Sequence, residues 1–348
     1  LKYRVLLGFA GEDEAKAPSP GVSLGLLDMY VDVPLGAAGN LRVGQFRTPY
    51  GLERLTDSGS ILFADRSIAN GALRIGRDMG LAYHARFGNF VGAAGLFTGG
   101  GRDVPERYLP QVLGIPLVMA RVGIDNGLYE NAFAEPSANP AEGVRYSVGL
   151  SGAYSKDTQI GHSTVMNVRL GEKSLLMNTN WNPLLAQQPM DPGSVWQAAL
   201  DGAVRVPVGP GAVTGEIELQ YGNYANSYGD LEIATGRAQV GYSQGIVDAA
   251  VRYAVVRPDR QMAVGGISIA GGKPYHEVTP GLSIKLFNPG TRIVLDLPIL
   301  LQAPVIQEPG IGSYVLSSQP DQTSYLSKGG SVSRMNVVQA RAMFQAAF

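Results

Sequence analysis

Along most of this chain apolar residues recur at every second position, the period of a strand with one apolar face. Segment 1–10 sets Tyr3, Val5, Leu7 and Phe9 against Lys2 and Arg4. In 22–33, Leu27, Met29, Val31 and Val33 oppose Asp28, Tyr30 and Asp32, and in 40–48 Leu41 and Val43 oppose Arg42, Gly44 and Phe46. Segment 77–87 carries Met79, Leu81, Tyr83, Ala85 and Phe87 on one face with His84 and Arg86 on the other. Gly88-Asn89 then signals a two-residue hairpin into 90–99. The form repeats at 116–124, 144–155, 162–170, 174–182, 195–207, 212–225, 230–242, 246–256, 274–287, 291–302 and 332–348, sixteen segments in all.

Short and long connections alternate between these segments. The short ones, such as GAAGN, GN, GEK, VGPGA, SQGI and NPG, fall where a barrel with both termini on the periplasmic side needs tight turns. The long ones (49–76, 100–115, 183–194, 257–273 and 303–331) fall on the other side, and only 125–143 is long where a tight turn is due. No linker divides the chain, so a single domain over 1–348 is expected. A soluble sandwich or solenoid fits less well, since no repeat is visible and the segments exceed the usual ~5–6 residues of a strand. The expectation is an all-β transmembrane antiparallel barrel of about sixteen strands.

Composition agrees with that picture. Charged residues are only 16% of 348, Gly is abundant at 46, and mean hydropathy is +0.03. No run approaches the ~18 apolar residues of a membrane helix; the most apolar stretch, 293–306, is broken by Asp296 and prolines. Net charge is −1, which implies no global attraction to nucleic acid. With no Cys, disulfide and thiol chemistry are excluded. Strand-like patterning from Leu1 reads as the start of a mature chain without a signal peptide. The last segment puts Val338, Ala340, Ala342, Phe344, Ala346 and Phe348 on one face, and a terminal strand ending in Phe resembles the insertion signal of outer-membrane barrels.

If the apolar faces meet lipid, the opposite faces collect Arg4, Arg42, Arg86, Arg121, Arg145, Arg169, Arg205, Arg237, Arg252, Lys285, Arg292 and Arg341 in the lumen. An arginine facing lipid at mid-membrane costs ~2–4 kcal/mol, which forces them inward. Asp28, Asp32, Asp201, Glu216, Glu218, Asp248 and Asp296 share that interior. Two readings stand: a salt-bridged wall that rigidifies a water-filled lumen, or a positively biased path for anions, which arginine's planar fork suits. Between 40–48 and 77–87 the chain carries Arg47, Glu53, Arg54, Asp57, Asp65, Arg66, Arg74 and Arg77. An ordinary exposed loop would not need Ile61, Leu62, Phe63 and Ile68, which could pack it against an inner wall. An inward-folded constriction loop over 49–76 is therefore expected.

Other constellations are poor. His84, His162 and His276 are scattered, no metalloprotease, CxxC or GxSxG pattern occurs, and FTGGGR at 97–102 lacks the Lys-Ser/Thr of a phosphate loop. No cofactor, metal or catalytic group is expected. Trp181 and Trp196, with many of the sixteen tyrosines, suit interfacial girdles.

The run LRVGQFRTPYGLERLTDSGSILFADRS followed by GRDMGL resembles the hallmark of the phosphate-selective porin O and P family. The matching positions are Gly44, Gln45, Phe46, Arg47, Pro49, Glu53, Leu55, Thr56, Asp65, Arg66, Ser67, Arg77, Asp78 and Gly80. The resemblance implies a sixteen-stranded outer-membrane porin, commonly a homotrimer, with infolded loops and an arginine ladder guiding anions. The chain departs from better-known members in its few lysines, 7 against 21 arginines, and in the acidic residues of its constriction loop. Expected partners are membrane lipid or lipopolysaccharide and small anions, with no nucleic acid. The first functional expectation is passive diffusion of small polar solutes with anion preference. The second is a structural barrel that anchors or ensheathes a partner with little flux.

Overall fold

A computed structural model describes residues 1–8, 25–36, 39–56, 61–73, 75–98, 115–128, 143–159, 169–170, 173–174, 192–226, 229–258, 262–264, 267–269, 273–286, 291–308, 312–315 and 331–345. In chain order the first strands are β1 (Lys2–Gly8), β2 (Gly25–Pro34) and β3 (Gly39–Arg47). Two short helices follow, α1 (Leu52–Leu55) and α2 (Ile68–Ala72). Then come β4 (Arg77–Phe87), β5 (Phe90–Phe97), β6 (Ile115–Asp125), β7 (Arg145–Gln159), β8 (Arg169–Leu170), β9 (Lys173–Ser174) and β10 (Pro192–Val208). The run continues with β11 (Gly211–Asn226), β12 (Gly229–Gln244), β13 (Val247–Pro258), β14 (Met262–Val264), β15 (Ile267–Ile269) and β16 (Tyr275–Lys285). It ends with β17 (Arg292–Asp296), β18 (Ile299–Glu308), β19 (Gly312–Val315), β20 (Ser331–Val338) and β21 (Arg341–Gln345).

Seventeen of these strands form one antiparallel sheet. Each strand from β1 to β7 pairs with the next, β7 pairs β10, and the ladder continues through β13, β16, β17 with β18, and β20 with β21. Among the described residues no pairing joins β1 to β20 or β21. Alternation sets which way each side chain faces. Val148, Leu150 and Tyr154 stand exposed on β7 while Ser147, Ser151 and Ser155 are buried between them. The exposed residues form a continuous aliphatic and aromatic exterior, the surface a barrel presents to hydrocarbon. No helix among the described residues is long and apolar enough to cross a membrane; the chain crosses with strands. The Gly88-Asn89 hairpin joins β4 to β5, and Gly88 adopts φ +60°, which a tight turn of this kind asks of its first residue.

Wall strands are expected at 162–170 and 174–182, but β7 pairs directly with β10 and the described residues of those segments lie outside the main sheet. β8 and β9 form a small ladder apart from the main sheet, and 162–168 and 175–182 lie outside the described residues. The reason lies in β7 and β10, which are long enough to register directly from Arg145↔Arg205 to Gln159↔Pro192. Arg169, expected to line the lumen, therefore sits on a strand outside the wall. Expected segments 291–302 and 332–348 are each broken. Pro298 has no N–H to donate, so β17 ends before it and β18 begins after it. Its partner strand breaks level with it, between β20 and β21, where Gln339 N–H donates to Pro298 O at 3.0 Å. The terminal Phe348 lies outside the described residues.

The connection after β6 is long, as expected, and its ends meet: Asn126 N–H donates to Tyr146 O at 3.1 Å and Tyr146 N–H to Asn126 Oδ1 at 2.7 Å. Residues 129–142 lie outside the described set. Inside the barrel, Phe46, Tyr50, Ala72, Leu73 and Ile75 pack with Phe97, Leu117, Met119, Val195, Ile233, Val256 and Tyr275 in one buried cluster. Its residues come from the β3–β4 connection and from the wall together, so this connection fills part of the interior.

Candidate functional site

The β3–β4 connection is rooted by Thr48, whose N–H and hydroxyl both donate to Gly76 O, at 3.4 and 2.8 Å. α1 begins after Gly51, held at φ +66° with Glu218 Oε1 only 2.5 Å from where a Cβ would lie. Glycine is needed there for both reasons. α2 is capped by Ser67, whose Oγ accepts from Asn70 N–H at 3.2 Å.

From this root the loop crosses the interior. Gly51 N–H donates to Ser151 Oγ of β7 at 3.3 Å, and Glu53 N–H to Glu218 Oε2 of β11 at 2.8 Å. Ala64 N–H donates to Asp296 Oδ2 of β17 at 2.9 Å, and Ile68 N–H to Glu277 Oε2 of β16 at 2.8 Å. The wall donates in return: Arg252 of β13 to Asp65 O at 2.9 Å, and Arg292 of β17 to Ile61 O at 2.7 Å. Phe63 and Ile61 are buried, as the inward reading of that apolar set expects, with the Arg252 guanidinium 4.4 Å from the Phe63 ring centroid. A Cβ on Gly281 would stand 2.8 Å from the Phe63 ring, so glycine makes the seat for it.

Glu53 is the hub of the loop. Its carboxylate accepts from Ser67 N–H at 2.8 Å and from the Ser67 hydroxyl at 2.6 Å, with Arg237 at 3.4 Å and Arg252 at 3.6 Å. Burial alone would raise its pKa. The two guanidiniums and the two Ser67 bonds outweigh burial and hold it below the ordinary carboxylate value.

The loop arginines serve the loop itself. Arg47 donates to Leu55 O and Thr56 O, both at 3.0 Å, and Arg66 to Glu53 O at 3.1 Å and Thr56 O at 2.7 Å. Arg54 is buried, with Gly76 beside its guanidinium. Arg77 is on β4, bonded to Asp28 at 2.7 Å, and Asp65 is half exposed, 3.9 Å from Arg341. Asp57 and Arg74 lie outside the described residues.

The wall arginines do not stand as a bare ladder. Arg121 meets Asp201 through two bonds of 2.5 and 2.6 Å, and Arg42 and Arg341 grip Asp32 and Asp296 in the same forked way. Arg237 bonds Glu216 at 3.0 Å, Arg252 bonds Glu277 at 2.6 Å, and Lys285 bonds Asp248 at 2.9 Å. Arg86 pairs with Asp125, and Arg145 donates to Asn126 O at 3.0 Å. Arg205 is buried opposite Arg145 in the β7–β10 ladder, and Arg292 also donates to Gln345 at 2.9 Å.

The pairs are unequal in their access to water. Side-chain exposure is 45% for Arg4 against 7% for Asp28, 42% for Arg86 against 2% for Asp125, and 26% for Arg341 against 0% for Asp296. In these three pairs the cation is the more exposed partner, whereas Arg121–Asp201, Arg237–Glu216 and Arg252–Glu277 are buried on both sides and Asp65 is more exposed than the Arg341 it faces. Sequence reasoning missed two of the carboxylates, Glu277 and Asp125. Glu277 could have been found, because it keeps the parity of inward-facing Lys285 along β16.

Comparison with curated proteins returned no match. Among solved structures, the chain is similar to an anion-selective porin from Comamonas acidovorans at 14% identity, covering 91% of this chain and 75% of that one with a TM-score of 0.49. The outer-membrane channel DcaP of Acinetobacter baumannii is similar at 11% identity, with 98% and 80% coverage and a TM-score of 0.49. OmpT of Vibrio cholerae is similar at 12% identity, with 92% and 79% coverage and a TM-score of 0.48. The sequence model described as phosphate-selective porin O and P matches residues 1–110. With an apolar exterior and a charged interior, the barrel belongs in the bacterial outer membrane. The matched residues 1–110 hold β1 to β5 and the whole infolded loop, so the likeness to the phosphate-selective porin O and P family lies in that part of the chain.

Proposed function

We propose that the chain is an outer-membrane channel through which small polar solutes diffuse passively, with a preference for anions, phosphate and other oxyanions among them. The whole chain acts as one barrel unit, with the 49–76 loop as its constriction. The observation that carries the anion preference is the layering of charge: Arg4, Arg86 and Arg341 face water while Asp28, Asp125 and Asp296 lie behind them. An ion in the lumen meets guanidinium first, and the carboxylates act through more distance and more protein. Selection by a bare arginine ladder is not part of this reading, because the wall arginines are bonded within the wall. Assembly as a homo-oligomer, a trimer by family resemblance, belongs to the same proposal.

A second reading, a barrel that anchors a partner with little flux, draws on the buried apolar cluster that the loop shares with the wall. Single-channel recording in planar bilayers separates the two. Ohmic steps with a reversal potential on the anion side are expected in a KCl gradient. Silence across many insertions would favour the anchor, and a reversal potential at zero or on the cation side would remove the anion preference.

A further inference from the structure

The loop is fastened to the far wall by a particular chemistry. Its three backbone N–H bonds to β11, β16 and β17, from Glu53, Ile68 and Ala64, all end on carboxylate oxygens: those of Glu218, Glu277 and Asp296. Inside the loop, a fourth carboxylate, that of Glu53, ties α1 to the Ser67 cap of α2 and to Arg237 and Arg252 of the wall. All four carboxylates are buried. A carboxylate accepts a hydrogen bond about twice as strongly as a neutral acceptor does, and protonation removes that advantage along with the attraction to arginine.

We propose that these carboxylates are an acid-released latch: proton uptake loosens the infolded loop from the wall and widens the path through the barrel. The proposal rests on the channel reading for its consequence, not for the latch itself.

Glu53 decides the direction. Facing it are Arg237 from β12 and Arg252 from β13, Glu216 and Glu218 from β11, and Arg66 on its own loop, which bonds its carbonyl. Further out, Asp201 of β10 is held by Arg121, and Glu277 of β16 by Arg252. Glu216 and Glu218 compete with Glu53 for Arg237, so Arg252 and the two Ser67 bonds matter to keeping it ionised. Its pKa is nonetheless held below the ordinary value of 4.5. A group depressed in this way stabilises the docked loop above its ordinary pKa. That stabilisation is lost as pH falls below 4.5 and through the lowered pKa. Glu218, Glu277 and Asp296 accept loop amides, so replacing any of these carboxylates by a neutral amide weakens docking in the same sense.

The test uses the full-length barrel with a nitroxide at Ala64→Cys, the chain having no cysteine of its own. Between about pH 7 and about pH 2 the nitroxide spectrum should pass from immobile to mobile, with the change falling below the ordinary carboxylate range and a rise in conductance of about twofold or more. Glu53→Gln, a neutral isostere, should be mobile already at neutral pH and show a flattened pH profile. An immobile label throughout, or Glu53→Gln following the wild-type profile, overturns the latch. A label that mobilises in a barrel that never conducts keeps the latch and removes the channel reading. An ohmic channel with an immobile label does the reverse. If Glu53→Gln does not insert, Glu277→Gln, which weakens the acceptor of Ile68 N–H, carries the same test, with a label already mobile at neutral pH as the supporting result and a label as immobile as in wild type as the opposing one.

Discussion

Arg252→Ala tests the loop's attachment most severely. The side chain is 1% exposed and does four things at once. It bonds Glu277 through Nε at 2.9 Å and Nη2 at 2.6 Å, donates to Asp65 O at 2.9 Å, lies 3.6 Å from Glu53, and stacks on Phe63 at 4.4 Å. Removing one partner of a buried pair costs about 3–5 kcal/mol, because the remaining charge is stranded. Losing a desolvated guanidinium–ring contact adds ~0.5–2 kcal/mol. The pair with Glu277 joins two wall strands and is lost whether the loop is docked or not, so the share that falls on the loop is the bond to Asp65 O, the approach to Glu53 and the Phe63 contact. That share is roughly 2–5 kcal/mol, which lowers the docked-to-released ratio by about thirtyfold or more. The assay is limited trypsin digestion of the inserted barrel, read at Arg54 and Arg66, together with single-channel current. Wild type should be protected in the loop and Arg252→Ala cleaved there, with larger and noisier current. Lys285→Met is the comparison: it breaks the wall pair with Asp248 and should leave the loop protected. Full protection of the loop in Arg252→Ala, with wild-type current, would refute the reasoning.

Two further substitutions probe the loop from within. Gly51→Ala introduces a Cβ at φ +66° and 2.5 Å from Glu218 Oε1, so it should destabilise the docked loop by about 1 kcal/mol or more, seen as faster loop proteolysis. Arg66→Glu and Arg47→Glu remove donors to Glu53 O, Leu55 O and Thr56 O and place a carboxylate against carbonyls. They should unfasten α1 and raise current noise, rather than only move selectivity toward cations. A clean change of reversal potential with an intact, quiet loop would show that these arginines face the permeating ion.

Much of the wall was legible because barrel strands are read one residue at a time. Val148 and Leu150 point outward for the same reason that Ser147 and Ser151 point inward, and no knowledge of the partner strand is needed. The loop was legible from Ile61 and Phe63, whose burial a solvent-facing loop would not require. Pairing was not legible. That β7 reaches past β8 and β9 to β10 depends on a register over many residues, which alternation alone does not distinguish from two more crossings. Likewise the arginines could be assigned to the lumen by the cost of exposing them to lipid, but the carboxylate each one meets comes from another strand. Arg86 finds Asp125 at the end of β6, and Arg252 finds Glu277 on β16. A list of inward cations therefore suggested a ladder, where the structure has pairs, three of which (those of Arg4, Arg86 and Arg341 with Asp28, Asp125 and Asp296) turn the cation toward water.

The most direct measurement of the central claim is the reversal potential of wild type and of Arg4→Gln/Arg86→Gln in the same KCl gradient. These two arginines are the more water-exposed members of their pairs, and their ion-pair partners, Asp28 and Asp125, lie on the wall strands β2 and β6. The layered-charge account predicts an anion-side potential for wild type that moves to or past zero in the variant, where Asp28 and Asp125 lose part of their cover. An identical potential in both proteins would contradict it.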